Sequence, residues 1–491
     1  MNKFSKVQII LVILFGILNS IIFYSLFINL YDNIKIFDSE DIVTEPSLEK
    51  VQSYVDSYEY KLAFSELEKV TTENPTFSNA YIYWADLYLQ YGNSTEAQNI
   101  LNKGIVNGVF NREIFIKLGE IKFQEGDFSD ARDVFFLLKE KDSTDLTSLL
   151  KYIDCLIVLG EDDKLKEMVK VLETFSSSKA IFYYNLLNFS QSLEDTTLLT
   201  NNSQDFEEEE LILINKMSTY INMADSPESK LLALSQLVHE LLSENYLVLS
   251  KLYNDKLIDE NSFFEKPNLY AGSIYLKLKS PEIAEQHLLR CLKYNPESIS
   301  CHILLIESYY QQKKSDSIEK DLAMITDLLS TDKESNAFAL FMIMTNYKDY
   351  KNLLKYADVF TSIAQSYNKE VNFVLLKSSF FLKDKDNLSK FIVAVDNYEF
   401  VLDAKEQTVL LSSKELLKLL NSEEVNLDNT YIIYNLDPSS IFYYLLNYQV
   451  YYSYTKLPEV DEGNKNIVED SKAKAQELDF NNEIPISYFN E

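Results

Sequence analysis

The chain has 491 residues and carries 46 Lys+Arg against 76 Asp+Glu, a formal net charge of -30. A surface that acidic repels phosphate backbones and anionic headgroups, which argues against nucleic-acid binding and against a basic membrane-binding face. With 9 Gly and 9 Pro the sequence lacks the punctuation of sheet-rich folds and of glycine-loop phosphate binders, so helices on short connections are expected.

Residues 1–31 come first. Lys3 and Lys6 precede a run from Val7 to Tyr31 without a charge, long enough to cross a bilayer core of about 30 Å as a helix. A cleaved signal would stop after roughly 7–15 apolar residues. Here the apolar character resumes past Asn19 and Ser20 as IIFYSLFINL, so an uncleaved transmembrane anchor is expected. Asp32, Asp38, Glu40 and Asp41 follow with only Lys35 among them. The positive-inside rule therefore places the N-terminus in the cytoplasm and the body outside, on a single pass through the cytoplasmic membrane. Residues 32–46 read as a linker.

Residues 47–177 carry a repeat. The segments YWADLYLQYGNSTEAQNIL, KLGEIKFQEGDFSDARDVF and YIDCLIVLGEDDKLKEMV align on Gly92, Gly126 and Gly160, which stand 34 residues apart. Each glycine follows a helical pattern and precedes Asn93, Asp127 or Glu161. Glycine ends a helix in the left-handed conformation without a Cβ penalty, and a polar side chain then caps the next helix. Tyr81, Trp84, Ala85 and Tyr88 fill the first helix of one unit; Phe115, Leu118, Gly119 and Phe123 sit at or near the same offsets in the next. Ala97 with Leu101, and Ala131 with Phe135, pair a small residue with a large one so that two helices can approach closely.

This pattern resembles the tetratricopeptide repeat, a 34-residue helix–turn–helix unit. The resemblance is strong over 78–144 and fair over 47–77, 145–177 and 265–330. In the last stretch Gly272, Tyr275, Ala284, Leu288 and Pro296 hold family-like offsets. It implies an all-α, tetratricopeptide-type solenoid behind the anchor. Its concave groove, lined by first helices, would hold a protein or peptide. The family's offsets fall here on Asn79, Ile82, Asp86 and Leu89, then Glu113, Ile116, Glu120 and Phe123, then Thr147, Leu150, Asp154 and Ile157. One line across the groove is acidic (Asp86, Glu120, Asp154) and one aliphatic (Ile82, Ile116, Leu150), which suits a basic or amphipathic partner. Glu307 holds the acidic offset later on, where Ser273 breaks the line. The same carboxylates also read as ordinary solvated helix positions, and the aliphatics as packing between neighbours.

Residues 178–264 keep a helical period around an acidic interruption. Glu207–Glu210 there reads as a solvated loop leading into a helix N-terminus, where carboxylates favour the dipole, the alternative being a docking site for a basic partner. Residues 331–456 read as degenerate helical units, with the aromatic run Ile441–Tyr454 as a terminal cap, the alternatives being an interaction surface or a membrane contact. Residues 457–491 are polar and acidic, and are expected to be disordered. Cys155, Cys291 and Cys301 make no metal spacing with His239, His287 or His302. They read as small buried residues, although Cys291 and Cys301 are spaced so that a turn can bring them together. No phosphate-binding, dinucleotide, zinc-protease or nucleophile-elbow motif occurs. The expectation is a non-enzymatic scaffold without cofactor or metal, chaperone-like or assembling an envelope complex. The alternative is a cell-surface ligand- or glycan-binding helical protein.

Overall fold

The computed structural model describes residues 48–57, 59–90, 93–191, 197–200, 206–222, 226–260, 265–329, 334–363, 365–397, 402–455, 462–479 and 483–489. The expected anchor and linker, and Gly92, lie outside the described residues. Among the described residues every element is helical, and no helix is long and apolar enough to cross a membrane.

Antiparallel helix pairs follow one another along the chain. Ser78–Gln90 pairs with Ser94–Val106, Arg112–Glu125 with Phe128–Lys141, and Leu146–Leu159 with Asp162–Leu172. Later pairs include Glu265–Lys277 with Pro281–Tyr294, Ile299–Gln311 with Ser315–Leu329, and Asn368–Leu382 with Lys385–Asp396. One turn geometry recurs within these pairs. Gly126, Gly160, Asn245, Lys279, Lys313, Lys348, Lys383 and Ser422 all take positive φ, between 52° and 90°. At each, the residue's own N–H donates to the carbonyl three positions back, and the following N–H donates to one five back from itself. That is the Schellman closure of a helix C-terminus, which satisfies carbonyls the helix leaves free. Asn245, Lys279 and Lys313 follow one another at the same interval that separates Gly126 from Gly160. The interval therefore recurs past the glycine-marked units, in a new phase, with lysine in glycine's place at 279 and 313.

Side-chain bonds between neighbouring units recur at close to the same interval. Arg112 with Asp145 and Glu265 with Ser298 span 33 residues; Ser178 with Glu210, Glu334 with Ser366 and Asp358 with Lys390 span 32. Within units, small residues admit close approach. A Cβ on Gly119 would lie 2.7 Å from the Phe135 ring, and one on Gly272 would lie 2.4 Å from Leu288. Ala131, Phe135, Ala284 and Leu288 are fully buried at these contacts. The core is accordingly a chain of overlapping clusters along the stack, as a solenoid requires.

The stack also folds back on itself. Helix Leu247–Glu260 packs on Leu146–Leu159 and on Ser178–Gln191, where Tyr253 donates to the Leu186 carbonyl at 2.6 Å. Phe128 shares a cluster with Ile274 and Leu278, and the Gly126 turn faces the Lys279 turn. In the interruption, Glu208–Glu210 form a first helical turn, and buried Glu210 accepts from Ser178 Oγ at 2.7 Å.

Two expectations need correction. The tail expected to be disordered contains the helix Glu462–Leu478, packed along Ile441–Thr455, with Val468, Ala475, Leu478 and Tyr488 buried. Its apolar stripe is narrow, and the charged residues around it mask the period in the composition. Ile441–Thr455 is consequently covered rather than terminal, and the later helix is the cap. The cysteines also differ from the reading as three unlinked buried residues. Cys291 and Cys301 form a disulfide across the Pro281–Tyr294 to Ile299–Gln311 turn, with Cα atoms 6.4 Å apart, while Cys155 is free and buried.

Candidate protein-binding groove

The first helices of the early units carry the residues expected to line a groove, in four rows. Asn79, Glu113 and Thr147 are exposed and form an open rim. Ile82 and Leu150 are buried in the core, whereas Ile116 is half-buried. The aliphatic line is thus mostly packing and not an open stripe. Leu89 and Phe123 are half-buried, while Ile157 is buried beside helix Leu247–Glu260, whose Lys251 Nζ lies 3.5 Å from the Ile157 carbonyl oxygen. The face expected to line the groove in the third unit is therefore partly covered by the chain's own fold-back.

The acidic row has a counterpart that the sequence reading missed. Asp86 pairs with Lys117 of the next unit, and Glu120 pairs with Lys151 of the one after, at 3.2 Å. Each lysine stands one repeat, less a single helical turn, beyond its carboxylate. Laying the repeats over one another and reading across units, not along one helix, would have revealed it. The row is consequently an alternating ladder of charge. All four side chains are partly open to solvent, so each pair contributes about 0–1 kcal/mol and serves mainly to fix register.

Asp154 ends this ladder. At the same interval beyond it stands Asn185, which is buried and donates to the Leu199 carbonyl at 3.2 Å. Asp154 Oδ1 is buried with no hydrogen-bond partner. Burial pushes its carboxyl up to about 7, against the pull of Lys151 and Lys179. Asp145, upstream at the start of the same helix, goes the other way. Burial raises it, but Arg112 at 2.7 Å and Ser148 outweigh this and hold it at about 2. In the later units Glu307 is half-buried, and burial raises its carboxyl against Lys279 and Lys277.

The remaining chemistry-bearing groups are used in the fold. His239 stacks on Tyr270 and His287 on Tyr275; His302 contacts the Pro296 carbonyl at 3.0 Å. Glu265, Cys291 and Cys301 lie within 4.8 Å of one another. The two sulfurs are bonded together, however, and Glu265 accepts from Asn295 and Ser298. This grouping fits a structural staple, since a disulfide has no thiolate to offer a metal.

A scan against protein-family models finds no match, and no curated protein matches the sequence. Solved structures do match. The P58(IPK) TPR domain is 11% identical over 88% of this chain and 98% of that one, with a TM-score of 0.21. Yeast Tom70 is 13% identical over 87% and 94%, at 0.27. The APC/C hetero-tetramer Cut9–Hcn1 is 13% identical over 91% and 97%, at 0.28. Superpositions this loose carry no functional argument, and the assignment to a tetratricopeptide-like superhelix rests on the hairpins and turns described above.

Proposed function

We propose that the protein is a membrane-anchored, extracytoplasmic scaffold that holds a protein partner along the first helices of its early units. Its work is assembly of an envelope complex, or chaperone-like binding, at the outer face of a bacterial cytoplasmic membrane. One observation carries this reading: the exposed rim of Asn79, Glu113 and Thr147 above the Asp86–Lys117 and Glu120–Lys151 pairs. It offers a polar surface renewed once per unit, which is how repeat arrays bind extended partners. Because lysines alternate with the carboxylates, the fitting partner is a segment of mixed charge instead of a purely basic one. The Cys291–Cys301 disulfide supports an oxidising compartment, and the uncharged run Val7–Tyr31 supports the anchor.

Photo-crosslinking residues placed at Asn79, Glu113 and Thr147 of the full chain, in native membranes, test the groove. One discrete protein adduct common to the three sites, and missing from a control at Lys166, is expected. Adducts only from Lys166, or none from the rim, would reject the groove.

A further inference from the structure

A patch on the later helices of the stack has no role in that groove. Helix Leu427–Leu436 exposes Tyr431 (69%), Ile432 (48%) and Tyr434 (39%) side by side. The Tyr434 ring lies 5.2 Å from that of Tyr443, which lies 4.9 Å from that of Tyr444. The described chain begins close by. Lys474 reaches both Glu477, at 3.6 Å, and Glu59, at 3.7 Å, and Glu59 precedes the helix Tyr60–Glu73. Tyr443 and Tyr444 line one hollow with Lys474 and Glu477.

We infer that Tyr431, Ile432 and Tyr434, backed by Tyr443 and Tyr444, form a face that beds into the lipid–water interface of the membrane carrying the anchor. This rests on the anchored reading above. Residues 32–47 reach at most about 55 Å even when fully extended, so the end of the stack nearest Leu48 is held close to the bilayer. Tyrosine suits the headgroup level, where the ring is sheltered and the hydroxyl stays wet. Helix Leu427–Leu436 carries no lysine or arginine and has Asp428 in its first turn, so its contact is with the apolar–polar boundary and not with anionic charge. A patch this small binds too weakly alone. Tethering raises its effective concentration at the surface enough to engage it.

The test uses the full chain reconstituted into phosphatidylcholine vesicles containing brominated acyl chains. An environment-sensitive fluorophore is attached at Asn435→Cys, beside the patch, or at Asp163→Cys, an exposed control on helix Asp162–Leu172. Quenching at least twofold greater at 435 than at 163 is expected, with the excess lost in Ile432→Ser plus Tyr434→Ser. Vesicle flotation of the same samples separates the two readings. A chain that floats yet quenches equally at both sites overturns the interfacial face alone. A chain that does not float overturns the anchor and the face with it.

Discussion

Asp145 and Asp154 belong to one short stretch of chain, and their surroundings drive them in opposite directions. Asp145 gains the Arg112 guanidinium and the Ser148 donors. Its folded value lies below the unfolded one, so its stabilisation is complete above about pH 4 and is lost as pH falls toward 2. Asp145→Asn is expected to cost about 1–3 kcal/mol at pH 7, a deficit that narrows across that acid window in urea titrations. Asp154 has the reverse sign. Its raised folded value makes the native state hold a proton that the unfolded chain releases, so wild-type stability falls between about pH 4 and pH 7. Asp154→Asn should therefore raise stability by about 1–3 kcal/mol at pH 8, with the gain shrinking toward pH 4. A gain independent of pH would contradict the account. The acidic row itself was legible in the sequence. Which member stays unpaired was not, because that depends on Asn185 turning to Leu199 and on a helix arriving from a distant part of the chain.

At the scale of the element, the turn decides what could be read. Glycine marks the turns at 126 and 160, and the sequence reading followed glycine. The later turns use Lys279, Lys313, Lys348 and Lys383 in the same left-handed geometry, which costs a non-glycine residue roughly 1–2 kcal/mol. The signal that survives there is a lysine followed by Ser280, Lys314, Asp349 or Asp384 at the start of the next helix. Lys313→Gly is expected to stabilise by about 0.5–1 kcal/mol once glycine's extra unfolded-state entropy is deducted. Gly126→Val should destabilise by about 1–2 kcal/mol, since a β-branched residue is strained at its φ of 90°. Thermal melts check both signs. Gly272→Ala probes the close helix contact instead. Its methyl would stand 2.4 Å from Leu288, and overpacking of that kind costs about 1–3 kcal/mol. The tail helix escaped the reading for a different reason: Val468, Ser471, Ala475 and Leu478 are buried at helical spacing, but between them the sequence is charged.

For the whole molecule, the all-α class and the stacking of early units followed from the regular glycine interval, because a periodic apolar face has few other ways to be buried. The fold-back that sets Phe128 against Leu278 and Lys251 against Ile157 has no local signal, since it depends on how the irregular helices between 178 and 264 turn the stack. The central claim, that units stack side by side and the first and last described helices meet, is tested most directly by zero-length carbodiimide cross-linking of the full chain, read by mass spectrometry. This chemistry joins only carboxylates and amines already in contact. Links Asp86–Lys117, Glu120–Lys151, Glu285–Lys314, Asp358–Lys390 and Glu59–Lys474 are expected. A map confined to pairs within a single helix, without these inter-unit links, would contradict the stack.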